Sequence, residues 1–290
     1  LENTKAVVKR ASITIGKSNV KKVRKTNVKK VRKTNVKVLV RAITIPVIVL
    51  IIWQLAGVFD LVSKTVLPTP LDIFLAFQEL IKTGELFGHV SISVFRAAVG
   101  FFIGGSLGII LGTIVGFSTR SEQYLDPSVQ MLRTVPHLAV APLFVLWFGF
   151  GETSKVLLIA DGAFFPLYVN AFLGIRGVDS KLFDVARVLE FSKRKLITKL
   201  ILPAALPNLL LGARLSLGVA WVSLVVAELM GSTEGIGYMI MDARQFSNTD
   251  IVFVGIIIFA FVGKFSDSLV RLLEVKFLRW RDNFKGEIGN

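Results

Sequence analysis

No cysteine occurs among the 290 residues, so disulfides, thiol nucleophiles and cysteine-ligated metals are excluded. Histidine is almost as scarce. His89 and His137 are the only two, too few for an imidazole metal cluster, and no metal site is expected. Acidic residues are missing between Glu2 and Asp60, and aromatic residues are missing from the first 41 positions. The first gap disposes of an ATP site. The segment Ala11–Ser18, ASITIGKS, fits a relaxed phosphate-loop pattern with Ala at the first Gly. It has no downstream acid to hold magnesium and no buried strand before it, and a charged repeat follows, so it reads as a chance match. The second gap removes the stacking groups that single-stranded nucleic acid requires, and no nucleic-acid role is expected.

The apolar residues, by contrast, make up 53% of the chain. With a mean hydropathy of +0.65, they exceed what one water-soluble core could hide, so part of the solvent is lipid. The formal charge of +15 is concentrated at one end: residues 1–41 carry fourteen Lys/Arg and one acid, Glu2. This basic tail repeats NVKKVRKT twice from Asn19 and begins a third copy at Asn35. Its valines fit neither a strand nor a helical stripe, which predicts a disordered cytoplasmic tail with affinity for anionic lipid.

Six apolar segments follow, over about Ala42–Val62, His89–Phe117, Val129–Phe150, Ser154–Ile175, Ala204–Met230 and Ile251–Leu273. Each is near the ~20 residues a span requires, and Pro136 and Pro142 interrupt the third. The expected fold is an all-α, six-helix transmembrane bundle over residues 42–282, with a short tail at 283–290. The tail, residues 176–203 and the stretch with Arg279, Arg281 and Lys285 are basic, whereas the loops after the first and fifth spans are acidic. Basic loops stay inside, so both termini are expected in the cytoplasm.

Gly100, Gly104, Gly108, Gly112 and Gly116 place one glycine every four residues along the second span. This ridge suits close helix packing, where lipid supplies no hydrophobic drive. Gly212, Ser216 and Ala220 form a similar row on the fifth. Ionisable residues inside spans are costly and mark pairs or aqueous paths. The candidates are Arg96, Asp161, Arg214, Glu228 and Asp267. Arg96, Glu228 and Asp267 suit snorkelling or interhelical pairing, and Asp161 and Arg214 sit deeper, where pathway lining, gating or an ion pair are all open. No grouping has catalytic spacing.

Residues 176–203 form the loop between the fourth and fifth spans. Leu182, Val185, Ala186 and Leu189 fall at i, i+3, i+4 and i+7, one face of a short helix. Ser192 caps a second helix, with Phe191 and Leu196 at staple positions, and Pro203 stops it. Such a hairpin suits either a groove on a soluble partner or the lipid headgroups.

Asp184, Val185, Ala186, then Glu190, then Leu200, Leu202 and Pro203 follow the E-A-A-x-x-x-G-(nine)-I-x-L-P pattern of ABC-importer permeases. The stretches WQLA (Trp53–Ala56), VLPTP (Val66–Pro70), MLRTVPHLAVAPLFVLWFG (Met131–Gly149) and GIGYMI (Gly235–Ile240) resemble the aliphatic sulfonate branch of that family. Taurine, nitrate and bicarbonate permeases are close to it. The similarity spans about residues 43–282. It implies a type I importer permease in a bacterial cytoplasmic membrane, not an enzyme. A second copy would form a homodimer, with ATPase subunits carrying ATP and Mg below and a substrate-binding protein above. The hairpin face Leu182, Val185, Ala186 and Leu189 would then seat in the ATPase. Gly231, Gly235 and Gly237 would face the binding protein, and no cofactor would bind this chain. Asp184 stands for the motif's Glu, and Glu190 for its Gly, where the family turns at positive φ. An ion-coupled secondary transporter using Asp161 and Arg214 would show an internal repeat or matching broken helices, and the sequence shows neither.

Overall fold

The computed structural model describes residues 43–278. The basic repeats, the Ala11–Ser18 segment, Arg279, Arg281, Lys285 and the 283–290 tail lie outside the described residues. All regular elements among those described are helical. The described residues fall into two compact units, divided between Leu71 and Asp72.

In the first unit, α1 covers Ile43–Val58. The expected span ran to Val62, but Asp60 adopts a φ of 50°. Leu61 N–H returns to the Ala56 carbonyl at 3.0 Å and Asp60 N–H to that of Gly57 at 3.3 Å. This left-handed cap satisfies the last carbonyls and ends the helix early. The segment beyond folds back, with Leu71 N–H donating to Gln54 Oε1 at 3.1 Å.

Helix α2, Pro70–Thr83, opens on a proline at a position where a missing N–H costs nothing, and carries Asp72 in its first turn. The second unit continues with α3 (Glu85–Phe117), α4 (Thr119–Thr134), a 3₁₀ turn (His137–Val140), α5 (Ala141–Phe148) and α6 (Glu152–Arg176). Then come α7 (Ser180–Val188), α8 (Lys193–Leu196), a π-turn (Ile197–Ile201), α9 (Leu202–Leu229), α10 (Ile236–Gln245) and α11 (Thr249–Phe277). Four stretches cross-length and apolar without a break are α3, α6, α8 through α9, and α11. The fifth is α4 with α5, bent by 80°. With α1 they occupy the six expected positions, although only four are long, unbroken spans.

Helix α6 is the axis of this unit. On one side the glycine ridge of α3 meets it in register: Gly100 faces Ile159, Gly104 Ala160, Gly108 Phe164, Gly112 Tyr168 and Gly116 Ile175. Numbers rise together on both helices, so α3 and α6 run parallel. On the other side α9 runs antiparallel, Gly212 facing Asn170 and Ser216 Oγ donating to the Ala163 carbonyl at 2.5 Å. Ala97, Ile159, Ala163, Ala220 and Leu224 close the seam between the three.

Parallel α3 and α6 require the chain to return between them, and the α4–α5 pair makes the return. Asp126 accepts from Tyr168 Oη at 2.7 Å, His137 lies against Gly162, and Ala141 packs with Leu158. The crossing starts at Thr119 rather than Val129, because the polar first turns of α4 find partners: Glu122 pairs with Arg176, and Asp126 with Tyr168. The hairpin α7–α8 and the end of α11 therefore lie at one end of the bundle. The α9–α10 loop lies at the other.

Candidate functional site

At the hairpin end, the Asp179 carboxylate accepts from Lys181 N–H at 2.9 Å and caps α7. Phe183 anchors the helix, packing with Ile175, Leu196, Ile201 and Ala205. The predicted face points the other way. Leu182, Val185 and Leu189 remain 43%, 54% and 59% exposed, and only Ala186 is buried. Together with Leu200, Pro203 and Ala204 they line an open, largely apolar groove of about 440 Å³. Asp184 is exposed and 3.5 Å from Arg187.

The turn of the hairpin is built on Glu190, whose φ is 51°. Phe191 N–H reaches the Ala186 carbonyl at 2.9 Å and Glu190 N–H that of Arg187 at 3.1 Å. These bonds make the helix C-terminus that normally employs glycine at this position. The backbone expected of the motif is kept, with a glutamate carrying the strain. Ser192 Oγ then accepts from Lys195 N–H at 3.4 Å, the expected cap. Pro203, however, does not stop the second helix. Leu202 N–H bonds to the Ile197 carbonyl through a π-turn, and the chain continues into α9. Pro203 falls in the first turn of α9, where its missing N–H is tolerated, and the wider turn absorbs the register. Leu200 and Leu202 follow the same split, the first half-buried beside Phe183 and the second exposed. The hairpin is thus joined to a membrane-crossing helix without a hinge.

The opposite end holds an ionic cluster in which Arg96, Lys155 and Glu228 are buried and Glu152 is exposed. Arg96 is 1% exposed. Its Nε and Nη2 donate to the two oxygens of Glu152, each at 2.6 Å, and its Nη1 donates to Glu228 at 2.9 Å and to the Glu234 carbonyl at 2.7 Å. Ser93 Oγ donates to Glu228 at 2.7 Å and accepts from Ile236 N–H at 2.9 Å. The second Glu228 oxygen takes Gly237 N–H at 2.8 Å, His89 Nδ1 accepts from Gly235 N–H at 3.1 Å, and Lys155 adds a charge to Glu152 at 3.1 Å. Two cations and two anions balance, and each carboxylate is hydrogen-bonded, the condition under which buried charge is tolerated. The cluster ties α3, α6, α9 and α10 together and clamps the loop between the last two.

Of the readings given for Arg96 and Glu228, the structure shows interhelical pairing, and their geometry is that of positioning groups rather than of a pathway. Gly235 and Gly237 are buried against the Glu228 side chain, and only Gly231, at φ 131° beside the Phe150 ring, is exposed. Arg214 does not meet Asp161. It pairs with Asp267 on α11 at 2.5 Å, with Glu274 at 3.9 Å. Asp161 is half-buried on α6, with His137 as its electrostatic neighbour.

Sequence reasoning missed Phe183, Ser93, Glu152 and His137. An Asp followed by a short amphipathic helix could have revealed the Asp179 cap. Nothing local marks Ser93 or Glu152, whose partners are 135 and 56 residues away.

A polytopic helical bundle with an apolar hairpin standing at one end and a clamped loop at the other defines a membrane transport subunit. The chain belongs to the family of binding-protein-dependent transport system inner membrane components, whose profile matches residues 104–279. This is a family of transport components, not of enzymes. The chain is 65% identical to a Bacillus subtilis (strain 168) protein named as an aliphatic sulfonates transport permease, SsuC, over 85% of this chain and 89% of that one. It is 47% identical to the Escherichia coli (strain K12) protein of the same name, over 81% and 90%. The Escherichia coli taurine transport system permease TauC is 34% identical, over 80% and 86%.

Proposed function

We propose that this chain is the membrane-spanning subunit of an ATP-binding-cassette importer for aliphatic sulfonates. Two copies form the conduit, ATPase subunits that carry ATP and Mg bind at the hairpin end, and a substrate-binding protein delivers the solute at the other. Both termini are cytoplasmic in this reading. The observation that carries it is the exposed apolar face Leu182, Val185 and Leu189 on a hairpin continuous with α9. A partner that pushes on this face moves a whole transmembrane helix, since no flexible joint intervenes. The names of the relatives favour sulfonate over taurine or bicarbonate as the solute, since identity is greatest with the sulfonate permeases.

The test is reconstitution with a cognate ATPase and binding protein in proteoliposomes. ATP hydrolysis stimulated by binding protein loaded with an alkanesulfonate, with uptake of that solute, is the expected result. Stimulation only by taurine or bicarbonate would reassign the solute. Uptake that proceeds down an ion gradient with no ATPase present would overturn the importer reading.

A further inference from the structure

The interruption between α4 and α5 places an unused, half-buried imidazole against α6. Pro136 and the 80° bend put His137 at the start of the 3₁₀ turn. Its ring lies against α6 at Gly162, where an added Cβ would stand 3.5 Å from His137 Cδ2, 3.1 Å from Val219 and in collision with Ser223 Oγ. The absence of a side chain at Gly162 is what lets the imidazole and the Ser223 hydroxyl approach each other. His137 Nε2 is fully buried and has no hydrogen-bond partner among the described residues, a costly arrangement that native structures reserve for a purpose. Asp161, on the adjoining turn of α6, is its charged neighbour. Asp161 lies nine residues from Glu152 and fifteen from Arg176, the two ends of α6. At ~1.5 Å per residue that is about 14 Å and 22 Å, well inside the bilayer.

A broken helix near the membrane midplane, with an ionisable residue beside it, is where transporters hold their solutes. We infer that His137 and Ser223 form an anion-binding station on the conduit, at which His137 Nε2 donates to the headgroup of the passing solute. The solute class is a small anion with oxygen acceptors, a sulfonate on the reading given above, on which this inference rests. The chemistry is complementary. A sulfonate always carries its charge and can only accept hydrogen bonds, and Nε2, in the tautomer that protonates it, is a donor without an acceptor. The Ser223 hydroxyl, which in this state donates to the Val219 carbonyl at 3.0 Å, is a second donor beside Gly162. A single donor pair holds a solute weakly enough to let it leave.

The test has two arms. The chain has only two histidines, His89 and His137, so isotope-labelled histidine gives two imidazole sets in the permease–ATPase complex, assigned with His137→Gln. Ethanesulfonate is expected to shift the His137 resonances, sodium chloride at equal ionic strength to leave them in place, and His89 to move with neither. In proteoliposomes with binding protein, His137→Leu, which removes the donor, is expected to cut uptake about ten-fold or more, the loss of one hydrogen bond to a charged group. ATP hydrolysis stimulated by the loaded binding protein is expected to remain. Static His137 resonances, uptake at the wild-type rate, or loss of stimulated hydrolysis together with uptake would each overturn the station, the last by revealing a packing role. If the resonances shift while wild-type complex imports no sulfonate, the station stands and the sulfonate-import reading falls.

Discussion

Arg96 on α3 donates to Glu228 on α9 at 2.9 Å, with both residues 1% exposed. The pair is completed by Glu152 and Ser93, so the guanidinium joins three helices where the α9–α10 loop begins. Truncating Arg96 to Leu leaves Glu228 buried without its cation, which costs ~3–5 kcal/mol. Thermal unfolding of the purified subunit is expected to show a large drop for Arg96→Leu and for Glu228→Leu. Glu228→Gln, which keeps hydrogen-bonding capacity, should lose clearly less. Equal losses for Gln and Leu would contradict the assigned bonds.

The α3 ridge makes a second prediction. A Cβ at Gly104 would stand 2.7 Å from Ala160 Cα, backbone that cannot swing aside. Gly104→Ala is expected to destabilise by ~1–3 kcal/mol through overpacking. Gly218 on α9 has nothing within 4 Å, and Gly218→Ala should be neutral or stabilising by up to ~1 kcal/mol, since alanine is the better helix former. Unfolding of the two variants side by side measures the contrast.

Glu190 holds a left-handed backbone at φ 51° without glycine's freedom. Glu190→Gly is expected to stabilise the hairpin by about 1 kcal/mol, and Glu190→Val, branched at Cβ, to weaken it by more. Amide hydrogen exchange at Glu190 and Phe191, whose N–H groups close the turn, should slow in the first variant and quicken in the second.

Leu189 is 59% exposed at the groove and leaves the bundle core untouched. Leu189→Glu is expected to fold with unchanged melting temperature. It should abolish solute-stimulated ATP hydrolysis and uptake together in the reconstituted complex. Phe183→Ala, which empties the anchor of α7, should instead lower the melting temperature, by ~3 kcal/mol or more of packing. Retained uptake in Leu189→Glu would remove the hairpin face from the coupling path.

Helix placement and the faces of α3 and α7 were legible because they follow from local spacing. One glycine in four defines a ridge whatever lies opposite, and apolar residues at i, i+3, i+4 and i+7 define a stripe whatever covers it. The left-handed turn at Glu190 was expected on other grounds, the resemblance to a family motif that has glycine at this position. Pro203 was misread because a proline breaks a helix only when its neighbours cannot adapt, and the π-turn at Ile197–Ile201 supplies that adaptation.

The sequence by itself determined a membrane-embedded helical chain, its apolar segments, a close-packing ridge and a protruding amphipathic hairpin, because composition and period are properties of the chain alone. Only the tertiary structure decided that Arg96 meets Glu228 and Glu152, that Arg214 meets Asp267 rather than Asp161, and that His137 is left with a buried, unpaired nitrogen. Those partners are separated by 132, 56 and 53 residues for the three pairs. Which charges meet across such distances depends on how closely and in what register α3, α6 and α9 pack beside one another, and no local pattern encodes that.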